Sequence, residues 1–383
     1  MREILKQQNL DLLRELKISK EWIANANIAE EMQTYQKAVS NMCEHLLTRI
    51  FLNLKDLDIE VDEVLDDVRS ETQTVMDYFG LLNERLIGPI RRFLPSDRIC
   101  LKILSWLHDA HPQTRSSPLA INDGPVGVWP MKIPVYFMPS SRQQGLLLLP
   151  LFFHEFGHVL YCSHQQELDS LIRDFQNEVT ELLTPKSVRD DLWTDKERQK
   201  RNRIVEIWYN WMVEIFCDAV GLTIGGPSFV NAFSLYFRMR GRCEFHMPEE
   251  DLWKSEHPIS ILRMRLITDR ARNQECFAEA EAVEKDWEKI ADVLGIREDH
   301  YGFLNQDFYA PIHRTVDDML VEACPRKFSQ EDTSEKEWNP ASSTPVHLFN
   351  NAWSVFSKDP QNYPDWEQRA IKDLLGVKQP SSP

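Results

Sequence analysis

The 383-residue sequence predicts a mainly α fold with a small β-sheet (α+β), on three observations. Apolar residues recur at steps of three and four through most of the chain, the period of an amphipathic helix. Residues 112–139 are too rich in proline for a helix and hold two short strand-forming runs. The most apolar stretch of the chain follows directly and continues with the length of a helix.

The elements follow in order. Residues 1 to about 110 read as helices. Ile4, Leu5, Leu12, Leu13 and Leu16 make the first stripe, and Val39, Met42, Leu46, Ile50 and Leu54 mark two longer stretches from Ile28 to Leu82. "SDRICLKILSWLHDA" has an N-cap candidate at Ser96 and an apolar face through Ile99, Leu101, Leu104 and Leu107. In the proline window "NDGP" is a turn, and "VGVW" and "IPVYFM" are short strands, with Pro134 pointing to an edge strand. A helix begins near Pro150 and runs past Tyr161. A second covers 165–183. After the charged stretch 184–203 a long helix ends near Ile224, closed by Gly225, Gly226 and Pro227. Further helices are expected at 228–239, 259–272, 275–294, 310–324, 345–356 and 364–375. The polar, proline-bearing segment 326–345 reads as a mobile loop. The implied organisation is an N-terminal helical region (1–111), a core (112–272) and a C-terminal helical region (273–383).

Composition narrows the function. A formal net charge of −16 argues against nucleic acid and against anionic membrane surfaces as main partners. The seven cysteines are scattered, odd in number and without a C-x-x-C pair, the pattern of reduced thiols in a cytoplasmic protein. The run "GLLLLPLFF" is too short to span a bilayer, and the first residues lack the pattern of a signal peptide.

The chemistry lies in "FFHEFGHVLY", residues 152–161. His154 and His158 are four apart, so on a helix both imidazoles lie on one face and can hold one Zn²⁺. Glu155, one residue on, reaches a water on such a metal without being a ligand. This is the H-E-x-x-H arrangement of two ligands and a general base. By residue frequencies a bare match arises in roughly one chain of this length in a hundred. The alternative is a buried His–Glu–His network, which is costly without a strong partner.

A catalytic zinc needs a third protein ligand, for which His164, His257, Glu206 and Glu214 are candidates. His164 has the spacing of one peptidase class but lacks the glycine that turns the chain back. Glu214 and Asp218 lie four apart on the long apolar helix. Glu214 as ligand, with Asp218 accepting from a ligating imidazole N–H, would satisfy both.

Together, "HEFGH" and "EIFCD" resemble the gluzincin clan of zinc metallopeptidases, to which thermolysin belongs. "EHPISILR" adds an H-P-x-x-x-x-R pattern. That order is similar to the CAAX prenyl protease and HtpX type of peptidase, over about residues 135–270. The resemblance implies a zincin-like metallopeptidase core flanked by helical regions, with one Zn²⁺ held by His154, His158 and Glu214. It implies Glu155 as general base, Asp218 as the carboxylate orienting His154, and His257 and Arg263 as cleft residues able to stabilise an oxyanion. Those membrane families carry transmembrane helices that this chain lacks, so their substrates do not transfer.

The expectation is a cytoplasmic zinc metallopeptidase acting on a peptide or protein substrate, with a regulatory protein partner to restrain it. The strand near Val135–Met138 would align the peptide by strand addition. The rivals are zinc-dependent hydrolysis of a non-peptide amide and a catalytically silent zinc-binding scaffold.

Overall fold

The protein is described by a computed structural model covering residues 1–59, 61–143, 145–184, 194–239, 245–295, 300–329, 332–333 and 338–376. It is mainly α-helical with one small three-stranded sheet, as expected. The chain divides into two compact units. The first comprises Met1–Asp109 and Ser116–Gln143, and the second Ala110–Arg115 and Gln144–Pro383.

In the first unit, helices α1 (Arg2–Asn25), α2 (Gln33–Leu57) and α3 (Leu65–Leu81) bury their apolar stripes together. Leu12, Leu16 and Ile23 of α1, Val39, Leu46 and Ile50 of α2, and Val75 and Phe79 of α3 are all buried. One polar layer crosses this interface. Asn9 donates to Thr72 Oγ1 at 2.8 Å, and Asn53 donates to Asn9 Oδ1 at 3.1 Å. A single π turn, Leu82–Leu86, leads from α3 into α4 (Ile87–Arg92), and α5 is Asp97–Asp109.

The sheet corrects three expectations. Strand β1 (Ala120–Asn122) has no alternating signature and went unread in the sequence; β2 is Gly127–Trp129 and β3 is Val135–Phe137. The order is β1-β3-β2, with β1 parallel and β2 antiparallel to β3. So β3 is the central strand and not an edge. Pro134 costs no ladder bond because it precedes the strand. Both edges of β3 are taken, Ile121 and Val128 each pairing Tyr136, so it cannot add a peptide strand. The sheet also groups with the N-terminal helices, not with the segment that follows it.

The second unit is built around a long helix. Its helices are α6 (Phe152–Ser163), α7 (Gln165–Leu183), α8 (Asp195–Gly225), α9 (Pro227–Met239) and α10 (Glu249–Leu252). There follow α11 (Ser260–Asn273), α12 (Phe277–Leu294), α13 (Tyr309–Ala323), α14 (Pro345–Lys358) and α15 (Tyr363–Leu374). A capping box starts α8: Thr194 Oγ1 accepts from Glu197 N, and the Glu197 carboxylate accepts from Thr194 N. Residues 214–225 of α8 are wholly buried, because α6, α7, α9, α11 and α13 all pack on it. Among the later helices, α12 packs on α9 and α11, and α14 on α9.

The segment expected as a mobile loop is anchored where it is described. Phe328 N donates to Thr223 O at 2.6 Å, and the Phe328 ring covers Gly226. Asp332 is fully buried and accepts from Arg326, Ser329 and Thr344. The sequence shows a polar stretch and not these pairings. Residues 330–331 and 334–337 lie outside the described set, as does Cys243 of "CEFH". No helix among the described residues is long and apolar enough to cross a membrane.

Candidate metal centre

The site forms where α6 crosses α8. Gly157 makes the crossing close: a Cβ added there would lie 2.7 Å from Cys217 Cα. At that separation the residues three before and one after Gly157 on α6 meet those three before and one after Cys217 on α8. His154 and His158 thus face Glu214 and Asp218.

The imidazole nitrogens and the Glu214 carboxylate lie close together without bonding one another. His154 Nε2 is 3.6 Å from Glu214 Oε2, and His158 Nε2 is 3.5 Å from Glu214 Oε1. His257, in the segment before α11, places its Nε2 3.6 Å from the same Oε1. These spacings exceed a good hydrogen bond. Tetrahedral zinc ligands at their usual bond lengths lie roughly 3.4 Å apart, which is what these pairs show. One ligand atom each from His154, Glu155 and His158 also lie within 4.8 Å of one another. The buried Glu214 Oε2 has no partner in hydrogen-bond geometry among the described residues.

Behind the donors lies an orienting layer. His154 Nδ1 is 2.8 Å from Asp218 Oδ1, although its N–H direction falls outside ideal hydrogen-bond geometry. Arg263 of α11 clamps Asp218: Nε donates to Oδ2 at 2.8 Å and Nη2 to Oδ1 at 2.6 Å. Nη2 also lies 3.2 Å from Glu214 Oε2. Arg263 is only 6 % exposed. It braces the carboxylates of Asp218 and Glu214 on α8. His257, with its side chain 60 % exposed, remains at the open side.

Electrostatics follow from burial and from Arg263. Desolvation pushes Glu155 up to about 7, against the pull of His154. Desolvation and the charge of His154 bring His158 down to about 4. Burial opposes ionisation of Asp218 and Glu214. The charge of Arg263, aided by the imidazoles, outweighs it and holds both below the usual carboxylate range. Burial lowers His154, but its contact with Asp218 outweighs this and raises it. With Glu155, Glu214 and Asp218 ionised and both imidazoles neutral, as metal ligands are, the three carboxylates and the guanidinium of Arg263 leave two negative charges, which a divalent cation would balance.

The other candidates lie elsewhere. Glu206 is exposed and pairs with Arg203 at 3.0 Å. His164 caps the end of α6, its Nδ1 3.9 Å from Glu322. Sequence reasoning missed Phe233 and Phe237, whose rings lie 5.0 and 5.3 Å from the Arg263 guanidinium carbon. Their four-residue spacing on α9 was visible, but only as a core stripe. The cavity of about 750 Å³ lined by Met1, Ile4 and Met76 belongs to the first unit and holds none of these residues. No protein-family model, curated protein or solved structure matches this chain.

Proposed function

We propose that this protein is a zinc-dependent metallopeptidase of the gluzincin type, hydrolysing peptide bonds. The observation that carries the reading is that His154 Nε2 and His158 Nε2 stand 3.6 and 3.5 Å from the two oxygens of Glu214, with ligand atoms of His154, Glu155 and His158 within 4.8 Å of one another. These three residues would hold the ion, which supplies Lewis acidity toward a water and a carbonyl oxygen. Glu155 takes the proton of the attacking water on its carboxylate and gives it to the departing amine. Burial raises its pKa to about 7 without the ion, and the charge of a bound ion would favour its ionised form, the base. Asp218 keeps the His154 ring turned so that Nε2 faces Glu214. The six described cysteines form no disulfide, which supports a cytoplasmic setting. A partner protein that restrains activity there belongs to the same proposal.

A second reading, a metal-binding protein without turnover, draws on His257. Its Nε2 would bring the donors to four and close the open position that catalysis needs. Metal content by elemental mass spectrometry, beside peptide-library cleavage, separates the readings. Wild type is expected to carry about one zinc. Glu214→Ala is expected to lose it. Glu155→Gln is expected to keep it while cleavage falls by about 10²-fold or more. Zinc-loaded protein without cleavage, both as wild type and as His257→Ala, supports the second reading. Absence of zinc in the wild type sinks both.

A further inference from the structure

We propose that Arg263 is a built-in countercation that stands in for the ion's charge in the metal-free protein, so that the chain folds before it binds metal. This rests on the metal-centre reading above. Three buried acids crowd the crossing of α6 and α8, and burying them uncompensated is expensive. Many metal sites solve this by coupling folding to the ion. Here a guanidinium already meets two of the three acids, bidentate on Asp218 and 3.2 Å from Glu214 Oε2.

The position of Arg263 does not depend on the ion. Its guanidinium lies over the rings of Phe233 and Phe237, one helical turn apart on α9. Phe233 stacks on Phe229, ring centroids 5.2 Å apart, and Phe237 meets Trp287 of α12 edge-on. Trp287 Nε1 donates to Ser234 Oγ at 3.0 Å, which ties α12 to α9. Hydrocarbon and aromatic packing thus set where the charge sits, and Asp218 is set by the charge. Arg263 Nη2 and His154 Nδ1 share Asp218 Oδ1, so Arg263 is a positioning residue that acts on a ligand imidazole through Asp218. Lysine would keep the charge and lose the two-point grip.

The test is a cycle of variant against metal on the full chain. Thermal unfolding is followed by circular dichroism, metal-free and with excess zinc, for wild type, Arg263→Met and Arg263→Lys. Metal-free wild type is expected to unfold cooperatively, and metal-free Arg263→Met to melt about 10 °C lower. Zinc is expected to raise the Met variant by at least about twice the shift it gives wild type, because the ion relieves a repulsion that Arg263 normally relieves. Arg263→Lys is expected to show a zinc shift close to that of wild type. Equal zinc shifts in wild type and Arg263→Met would make Arg263 a plain structural bridge and overturn the proposal, with the metal centre intact. A Met variant that stays unfolded with zinc present also overturns it, as does a Lys variant whose shift matches Met. A wild type that neither binds nor responds to zinc fails one step earlier, at the metal centre itself.

Discussion

At the scale of single residues, Glu155 carries the clearest consequence. Burial raises its pKa from 4.5 to about 7 in the metal-free protein. A carboxyl that holds its proton more tightly when folded favours the folded state below 4.5. That contribution is lost as the pH climbs through about 7. The difference is on the order of 3 kcal/mol. Metal-free Glu155→Gln is therefore expected to gain stability relative to metal-free wild type as pH rises from 4.5, levelling off above about 7. Urea unfolding across that range measures it, and a difference that does not change with pH rejects it. His154, Glu155 and His158 were legible because five consecutive residues contain them. Glu214 and Asp218 were legible as a helical pair of acids among apolar neighbours. The task of Arg263 was not, since its partner Asp218 lies 45 positions away and the aromatic rings beneath it are on a third helix.

The elements show where periodicity informs and where it stops. Most helices of the second unit are readable to within a few residues, because long stripes and glycine or proline stops mark them, but α8 starts at Asp195, inside the stretch 184–203 read as a charged turn, and the short α10 carries no stripe to read. The sheet was harder. Three-residue strands carry no alternation to count, and pairing order is a property of partners, so the edge reading of β3 failed. The α6–α8 crossing rests on Gly157, one of the two unspecified positions of H-E-x-x-H. Gly157→Ala would put its Cβ against backbone at 2.7 Å, a clash that only helix separation relieves. We expect a loss of about 1–3 kcal/mol. We also expect weaker zinc binding, because the proposed ligands lie on the two helices being forced apart. Chelator competition beside thermal melts measures both, and unchanged affinity would show that the helices can separate without disturbing the donors.

For the whole molecule, composition and pattern identified the class, mainly α with a small sheet, but not the grouping. The sheet joins the N-terminal helices, and the C-terminal helices join the unit with the candidate metal site, by contacts no local pattern encodes. The segment after α13 illustrates the same limit. Asp332 gathers Arg326, Ser329 and Thr344, and Phe328 lies on Gly226 at the end of α8. Breaking such a buried pair is worth about 3–5 kcal/mol. Asp332→Asn is expected to cost that order and to open segment 324–345 to limited proteolysis. Cleavage no faster than in wild type would contradict it.

The layer of Asn9, Asn53 and Thr72 in the three-helix interface has a consequence for assembly. Helices with uniform leucine stripes can dock one turn out of step at little cost. Here a slipped alignment would strand two amides and a hydroxyl among aliphatic side chains, where each has lost water and found no substitute. Only one docking of α1, α2 and α3 answers all three groups, so the layer acts as a proofreader that shortens the life of a misregistered bundle.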